Sequence, residues 1–315
     1  MPLHLSFFRA IVIGLLQGVT ELFPISSLGH SVLLPGLFGW HGIVDAQSAG
    51  ESPYLAFLVG LHVATALALL VYYREQWLRI IPAFFRSILH RSIETKDERL
   101  AWMLVIATIP TGVIGLAFEH TLRTIFAKPV AAASFLTVNG LILLVGEQVR
   151  RRSDQRVAAR APAVARSVPA DGSGASDPLG GEHGSDESLS TLTLKDAGIV
   201  GIAQVAALFA GISRSGITMV TGLVRGLDHE DAARFAFLMA TPIILAAGVY
   251  KLPDLAGHLG DGIRGQVLAG SAVAAVAAYG AVAFLERYFT SRNLNPFAIY
   301  CLIVGPACIV RFGLF

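Results

Sequence analysis

Long runs of uncharged, mostly apolar residues recur along the chain, and their lengths match membrane crossings. A helix needs about 20 apolar residues to cross about 30 Å of hydrocarbon. The pattern therefore predicts six spanning helices, at residues 55–73, 100–118, 129–146, 235–250, 266–285 and 296–310.

Two further apolar segments are interrupted in their middle by polar and small residues. Residues 6–39 and 197–224 each contain a helix-length apolar stretch, a Gly- and Ser-rich break and a second short apolar stretch. This pattern is typical of a helix pair that enters the membrane, turns and leaves on the same side. Irregular backbone at that depth is tolerated only where it is buried in protein or lines a wet cavity.

The two interrupted segments are also related in sequence. Residues 14–39 and 201–226 align without a gap at an offset of 187, with six identities in 26 positions. The identical pairs are Gly14/Gly201, Gln17/Gln204, Ile25/Ile212, Ser26/Ser213, Gly29/Gly216 and Gly39/Gly226. Each segment precedes three predicted spans, and an odd number of spans per half gives the halves opposite orientations. We therefore predict an all-α integral membrane protein with an inverted-topology repeat, in which about six full transmembrane helices accompany two re-entrant helix pairs that meet near the midplane.

The domain organisation follows from that repeat. We expect a single membrane domain over residues 1–315, with one repeat half at 6–149 and the other at 193–315. Between them, residues 150–192 are rich in Arg, Ala, Pro, Gly, Ser and Asp and almost lack aromatic residues. Because such a composition cannot bury a core of its own, this segment is predicted to be a disordered loop outside the membrane.

Basic residues are divided unequally between the two predicted sides of the membrane. One side receives 17 Lys and Arg residues, in the loops 74–99 and 150–196 and at four further positions, and the other side receives 6. Without the long loop the ratio is still 10 to 6. Because cytoplasmic loops carry the excess of Lys and Arg, the Arg-rich loops are predicted to be cytoplasmic and both termini to lie outside.

Composition agrees with a membrane protein and argues against one class of partner. Hydrophobic residues make up 54% of the chain and charged residues 15%, whereas soluble domains carry about 25% charged residues. The net charge of +2 offers no basic excess for nucleic acid, so we expect the lipid bilayer as a partner and no nucleic acid. The oligomeric state is left open.

The first break concentrates polar side chains inside an apolar segment. Its members are Gln17, Glu21, Pro24, Ser26, Ser27, Gly29 and His30. The i, i+4 spacing of Gln17 and Glu21 predicts one helix face, and Pro24 is expected to end that helix. Ser26 or Ser27 can then cap the next helix. One reading is a capped helix start with a snorkelling Glu21, but ionisable groups inside a membrane are functional candidates by default.

The second break places an arginine between serines and glycines. It reads Gly211, Ile212, Ser213, Arg214, Ser215, Gly216, Ile217 and Thr218. A guanidinium binds phosphate oxygens bidentately, and the N–H groups of a following helix add to that attraction. The pattern predicts a phosphate site, and a structural role in which Arg214 neutralises Glu21 is compatible with it. His62, inside an apolar span, is interpreted as a satisfied core histidine or a pocket-lining residue rather than a metal ligand.

Taken together, the two motifs resemble the bacterial undecaprenyl-diphosphate phosphatases, the bacitracin-resistance protein family. The pattern there is Glu/Gln-x-x-x-Glu, then Pro-x-Ser-Ser-x-Gly-His and later Pro-Gly-x-Ser-Arg-Ser-x-x-Thr, and the likeness spans nearly the whole chain outside the long loop. Three positions differ from the residues common in that family: Gln17 stands where better-known members have Glu, Leu28 where a hydroxyl residue is frequent, and Ala210 where Pro precedes the glycine. The type 2 phosphatidic-acid phosphatases, which share a Ser-x-Gly-His-like element, are excluded because Val220 stands where they need a second histidine.

The resemblance implies hydrolysis of undecaprenyl diphosphate to undecaprenyl phosphate and phosphate, which recycles the lipid carrier for peptidoglycan synthesis and confers bacitracin resistance. It also implies a multi-pass protein of the bacterial inner (cell) membrane, a site opening to the extracytoplasmic side, and dependence on a divalent cation, Mg or Ca. The sequence itself contains no readable metal-ligand set or other cofactor motif.

Roles can be assigned to these residues as a hypothesis. The residues expected to be catalytic are Glu21, Ser27, His30 and Arg214. The Ser27 hydroxyl attacks the terminal phosphorus or positions the water that does, and Glu21 accepts its proton. His30 protonates the leaving group or orients the phosphate, and Arg214 offsets negative charge. For substrate binding we expect Gln17, Ser26, Gly29, Gly211, Ser213, Ser215 and Thr218.

Two alternatives belong to other functional classes. An isoprenoid-phosphate transporter or flippase has the same expected architecture, but transport alone does not require a serine beside a carboxylate and a histidine. A non-catalytic membrane scaffold is disfavoured because buried charges are costly unless they are used.

Overall fold

The structure is a computed structural model that describes residues 5–40, 42–43, 53–126, 128–165, 189, 192–257 and 261–314. Within those residues the chain is helical, without strands. The helices are α1 (Phe7–Thr20), α2 (Ser27–Leu37), α3 (Pro53–Tyr72), α4 (Arg74–His90), α5 (Lys96–Phe126), α6 (Pro129–Ala165), α7 (Leu194–Gln204), α8 (Arg214–Val224), α9 (His229–Ala256), α10 (Arg264–Phe289) and α11 (Asn295–Leu314). A 3₁₀ turn, Val205–Leu208, follows α7.

Six of these helices are long and apolar enough to cross a membrane, and they confirm the six predicted spans. The candidate spans are Pro53–Tyr72, Lys96–Phe118, Pro129–Ser153, His229–Lys251, Arg264–Phe289 and Asn295–Leu314. Large apolar side chains on them point outward, among them Val113, Val145, Val276 and Ile303. Such a surface is stable against lipid rather than water, so the chain is a multi-pass membrane protein.

At both interrupted segments, the structure contains two short helices joined by a turn. In the first, α1 ends at Thr20 and α2 begins at Ser27, with the Ser26 Oγ accepting from the Gly29 N–H at 3.2 Å. In the second, the Ser213 Oγ caps α8 by accepting from the Gly216 N–H at 3.1 Å. Each N-cap hydroxyl satisfies a donor that the helix leaves unpaired, and Ser26 rather than Ser27 is the first cap.

Two segments assigned to loops are partly helical. Residues 74–90 form α4, whose buried face includes Ile80, Ala83 and Ser87 while its other faces are exposed. Helix α6 continues to Ala165, 15 residues past the start of the segment predicted to be disordered, because the Ala, Arg and Gln residues there favour helix. Residues 166–188 of that segment lie outside the described residues.

Packing between the helices places the two breaks next to each other. Helix α1 packs along α10, α3 contacts both α9 and α10, and α7 packs against α5. Helix α6 contacts both α2 and α8, and its other partner is α11. The start of α2 and the start of α8 therefore meet beside α6.

Candidate active site

The carboxylate of Glu21 is the centre of the polar cluster. It lies one residue after α1 and is buried. Its Oε2 accepts hydrogen bonds from the Gln17 Nε2 at 3.0 Å and from the Ser27 Oγ at 2.5 Å. Its Oε1 accepts from the Arg214 Nη2 at 3.2 Å, and the His62 Nε2 lies 3.5 Å from Oε2. Side chains from α1, α2, α3 and α8 thus converge on one carboxylate.

Ser27 has the surroundings of an activated hydroxyl. It is the first residue of α2, so it lies at the end of the helix where unpaired N–H groups favour an anion. Its proton already points to the Glu21 carboxylate, which is the arrangement a nucleophile and its general base require. An attacking oxygen, its base and an anion-binding helix end are therefore in one place.

Serine and glycine residues interlock the two breaks. The Ser26 Oγ accepts from the Gly211 N–H at 3.2 Å, in addition to its bond within α2. A Cβ on Gly29 would lie 2.9 Å from the Gly211 Cα, and one on Gly211 would collide with the Ala132 carbonyl oxygen. Gly211 also has a φ of +114°, in the region that favours glycine. The two glycines therefore permit the close approach on which the site depends.

Asn139 bridges the two breaks and was missed by the sequence reasoning. Its Nδ2 donates to the Pro24 carbonyl oxygen at 2.9 Å, and its Oδ1 accepts from the Ser213 N–H at 2.9 Å. The side chain is fully buried in α6. The available signal was a lone amide in the apolar run 129–146, because a buried amide requires partners.

Arg214 is held from two sides. Its Nη1 donates to the Ala236 carbonyl oxygen at 3.2 Å, and its Nη2 donates to Glu21. Its buried Nε has no hydrogen-bond partner among the described residues. These contacts orient the guanidinium at the start of α8, beside the Ser27 hydroxyl and the carboxylate.

The neighbouring serines of the second break are tied to the first. The Ser215 Oγ donates to the Phe23 carbonyl oxygen at 3.3 Å and lies 3.0 Å from the Ser213 Oγ. Both hydroxyls are therefore used to hold the two breaks together. Ser213 also lines the cavity described below, whereas Ser215 is fully buried beneath it.

His30 is directed away from this cluster. Its Nδ1 lies 2.7 Å from the Ser26 carbonyl oxygen, and its Nε2 lies 2.8 Å from the Tyr300 hydroxyl on α11. Both ring nitrogens are therefore occupied by contacts that orient the turn and tie it to α11. His62, which the sequence left as a core or pocket-lining residue, reaches the cluster instead.

A cavity of about 390 Å³ opens beside the cluster. Its polar end comprises Glu21, Ser26, Ser27, His62, Ser213 and Arg214, and apolar walls come from α3, the 3₁₀ turn and α9. Lys251 also lines it and is the last residue of its candidate span. The residues of α9 that line the cavity run from Ile243 to Lys251, so the cavity leads toward the end of that span, about 12 Å along the helix.

The remaining predicted binding residues lie around the cavity without lining it. Gln17, Gly29, Gly211, Ser215 and Thr218 are absent from the residues that line it. Gln17 holds Glu21, and the glycines and Ser215 hold the two breaks together. Thr218 is buried, and its hydroxyl has no hydrogen-bond partner among the described residues.

The described residues do not supply a protein-only cation site. Across the part of the chain that the structure describes, no group of three or more His, Cys, Asp or Glu side chains is placed to hold a metal ion. Among the described residues, Glu21 is the one carboxylate that lines the cavity, and Gln17, Ser27 and Arg214 already occupy its oxygens. Mg²⁺ and Ca²⁺ need several oxygen ligands. The expected divalent cation stays a prediction, and no chemical step is assigned to it.

Comparison with known proteins gives one consistent result. The family model for "Bacitracin resistance protein BacA" matches residues 10–307. The chain is 56% identical to a protein of Frankia alni named undecaprenyl-diphosphatase 2, over 99% of both chains. It is 55% identical to the undecaprenyl-diphosphatase of Mycolicibacterium paratuberculosis over the full length of both. A Burkholderia orbicola protein named undecaprenyl-diphosphatase 2 is 41% identical over 98% of both.

Proposed function

Because this chain belongs to the bacitracin resistance protein BacA family, we propose that it is an undecaprenyl-diphosphatase, which hydrolyses undecaprenyl diphosphate to undecaprenyl phosphate and phosphate. The observation that carries the proposal is the Ser27–Glu21–Arg214 cluster at the polar end of a cavity with apolar walls. The activity recycles a lipid carrier for peptidoglycan synthesis and gives resistance to bacitracin.

The polar end of the cavity fits the diphosphate and the walls fit the isoprenoid. Arg214 and the N-terminal ends of α2 and α8 provide donors for phosphate oxygens. Leu55, Val59 and Ile243 give the first part of the hydrocarbon chain an apolar surface. A ligand with an anionic head and an apolar tail matches both parts of the cavity.

The chemical step uses the hydroxyl and the carboxylate in contact. The Ser27 Oγ attacks the terminal phosphorus, and the bond to the bridging oxygen breaks, which releases undecaprenyl phosphate. Glu21 accepts the serine proton as the bond forms, and Arg214 offsets charge on the equatorial oxygens. Water then attacks the phosphoserine, and the proton on Glu21 returns to the serine oxygen.

The transporter alternative has no comparable support. The relatives reported above are named as diphosphatases, and a serine hydroxyl 2.5 Å from a buried carboxylate serves hydrolysis rather than transport. The enzyme reading therefore accounts for a contact that transport would not require.

The test is phosphate release by the purified protein in detergent. We expect undecaprenyl diphosphate to give one phosphate and one undecaprenyl phosphate per turnover, whereas undecaprenyl phosphate gives no further phosphate. The substrate and lipid product are separated by chromatography. A protein that moves the lipid between leaflets of a liposome but releases no phosphate would instead be a transporter.

We also propose that the two interrupted segments are re-entrant helix pairs related by an inverted repeat, and that their breaks meet near the midplane of the membrane. Reciprocal packing supports it, since α1 packs against α10 of the other half and α7 packs against α5. The repeat-equivalent glycines Gly14 and Gly201 occupy matching positions. A Cβ on either one would collide with backbone of the opposite half, at Gly270 and Ala107 respectively.

The same repeat leads to a proposed orientation in the bacterial inner (cell) membrane. The Lys and Arg excess assigns residues 74–99 and 150–192 to the cytoplasm. The end of α9 that carries Lys251 then lies on the extracytoplasmic side, and the cavity opens there. That side is where an outward-facing lipid diphosphate would be reached.

Cysteine labelling tests the orientation. In a variant whose native cysteines are replaced, Glu94→Cys or Ser176→Cys is expected to resist a membrane-impermeant maleimide added to intact cells. Asp261→Cys, between α9 and α10, is the matched site on the opposite side and should be labelled. All three should react after permeabilisation. Labelling of Glu94→Cys in intact cells would reverse the orientation.

A further inference from the structure

His62 faces the cluster from α3 and lines the cavity together with Arg214. Its Nδ1 lies 2.8 Å from the Leu58 carbonyl oxygen in the preceding turn, and its Nε2 lies 3.5 Å from the Glu21 Oε2. The side chain is 28% exposed. Among the described histidines, it is the one that lines this cavity.

The partners of the two ring nitrogens determine where protons reside. A carbonyl oxygen only accepts hydrogen bonds, so the Nδ1 of His62 carries a hydrogen. The Nε2 then faces a carboxylate oxygen, and a nitrogen lone pair there would be repelled by it. The contact is favourable when Nε2 also carries a hydrogen, because the imidazolium can then pair with the Glu21 carboxylate.

We propose that His62 is a second proton-transfer group of the site, which gives a proton to the leaving oxygen of undecaprenyl phosphate and later takes one from the attacking water. This inference rests on the proposed diphosphatase function. It assigns to His62 the part that the sequence hypothesis had given to His30, whose nitrogens contact Ser26 and Tyr300.

The proton transfers balance over two steps, and water is the one reactant besides the substrate. In the first, the bond from the Ser27 oxygen to the terminal phosphorus forms and the bridging bond breaks. The serine proton goes to Glu21, and the Nε2 proton of His62 goes to the departing oxygen. In the second, water attacks the phosphoserine and gives its proton to the Nε2 of His62, while Glu21 returns its proton to Ser27. Both groups end in their starting states.

Each of the two groups therefore has a separate task. Glu21 serves the serine oxygen, to which it is hydrogen-bonded, and His62 serves the leaving group and the water, which enter from the cavity. Arg214 is charged throughout and transfers no proton. The charged or titratable side chains that line the cavity with His62 are Glu21, Arg214 and Lys251.

The pH dependence of kcat tests this assignment. In the wild type, loss of the His62 proton removes the acid, so kcat is expected to fall as the pH rises. His62→Gln and His62→Asn keep a polar side chain but cannot transfer this proton. We expect both to lose about tenfold or more in kcat and to lose that alkaline decline. The substrate phosphates titrate for every variant alike, so they do not explain a difference in pH dependence between the variants and the wild type.

His229→Gln is the matched control. His229 also faces a buried carboxylate, with its Nε2 2.8 Å from the Glu147 Oε2, but it lies outside the cavity. This variant should keep the wild-type kcat and its alkaline decline. Thermal melting in detergent would verify that the His62 variants are folded.

The outcomes separate two failures. A wild type without an alkaline decline, or folded His62 variants that keep the decline or stay within twofold of the wild-type kcat, would overturn the assignment of His62 while leaving the diphosphatase intact. A wild type that releases no phosphate at any pH would contradict the proposed diphosphatase function, and the inference about His62 would fail with it.

Discussion

Ser27→Ala is expected to lower kcat for phosphate release by more than about 10⁴, the largest loss of any single change in the site. The substitution removes the attacking oxygen, whereas loss of a proton-transfer group alone typically costs about 10²–10⁴. Ser27 lies at the start of α2 with its hydroxyl on Glu21, so the alanine variant keeps the helix, whose N-cap is Ser26. The measurement is phosphate release from undecaprenyl diphosphate by protein that remains folded in the membrane.

Ser31→Ala is the matched control, one helical turn further along α2. Its hydroxyl is also buried but donates to the Leu28 carbonyl oxygen, and the residue does not line the cavity. Its activity should stay near that of the wild type. Near-normal turnover by Ser27→Ala would replace the serine with a directly attacking water.

A double variant tests whether Ser27 and Glu21 act in the same step. Glu21→Gln should also lose most activity, because the amide cannot accept the serine proton. Since Ser27 and Glu21 act in one step, combining Glu21→Gln with Ser27→Ala should be barely worse than the poorer single variant. Losses that multiply would mean that the two residues act independently, and would contradict the proton transfer proposed between them.

Arg214→Lys is expected to lower kcat/KM by at least about tenfold, although the charge is kept. A charge-assisted hydrogen bond contributes about 1.5–3 kcal/mol, and each 1.4 kcal/mol is about tenfold. The guanidinium reaches Glu21 and the Ala236 carbonyl oxygen with separate nitrogens and still has further N–H groups for phosphate. A single ammonium cannot reproduce that planar set of donors.

Arg225→Lys, at the other end of α8, is the control. Arg225 pairs with Asp196 and does not line the cavity. This change should leave kcat/KM nearly unchanged, and both proteins should melt near the wild-type temperature. An Arg214→Lys enzyme with wild-type kinetics would reduce Arg214 to a structural partner of Glu21.

Several features could be predicted from the sequence because they depend on near neighbours. An apolar run long enough to cross hydrocarbon needs no knowledge of its partners, and all six predicted spans are present. Helix α4 was missed because charged residues interrupt its apolar sequence, so it does not resemble a span. The capping role of Ser26 and the contact of Gln17 with Glu21 are also local, since they join residues three and four positions apart.

The tertiary structure alone decided which of these polar residues share a site. Arg214 meets Glu21 across 193 positions, and Ser26 meets Gly211 across 185. The bridging role of Asn139 likewise depends on where α6 lies relative to both breaks.

His30 and His62 show most directly why the sequence could not decide which residues share the site. Each has one ring nitrogen on the carbonyl oxygen four residues before it, a contact set by the helix itself. The other nitrogen of His30 meets Tyr300, 270 positions away, whereas that of His62 meets Glu21. The sequence by itself determined the spans and the family and narrowed the first cap to Ser26 or Ser27, because hydrophobic length, motifs and backbone satisfaction are local properties. Which histidine faces the cavity depended on helix packing, because the direction of a side chain is set by neighbours far away in the chain.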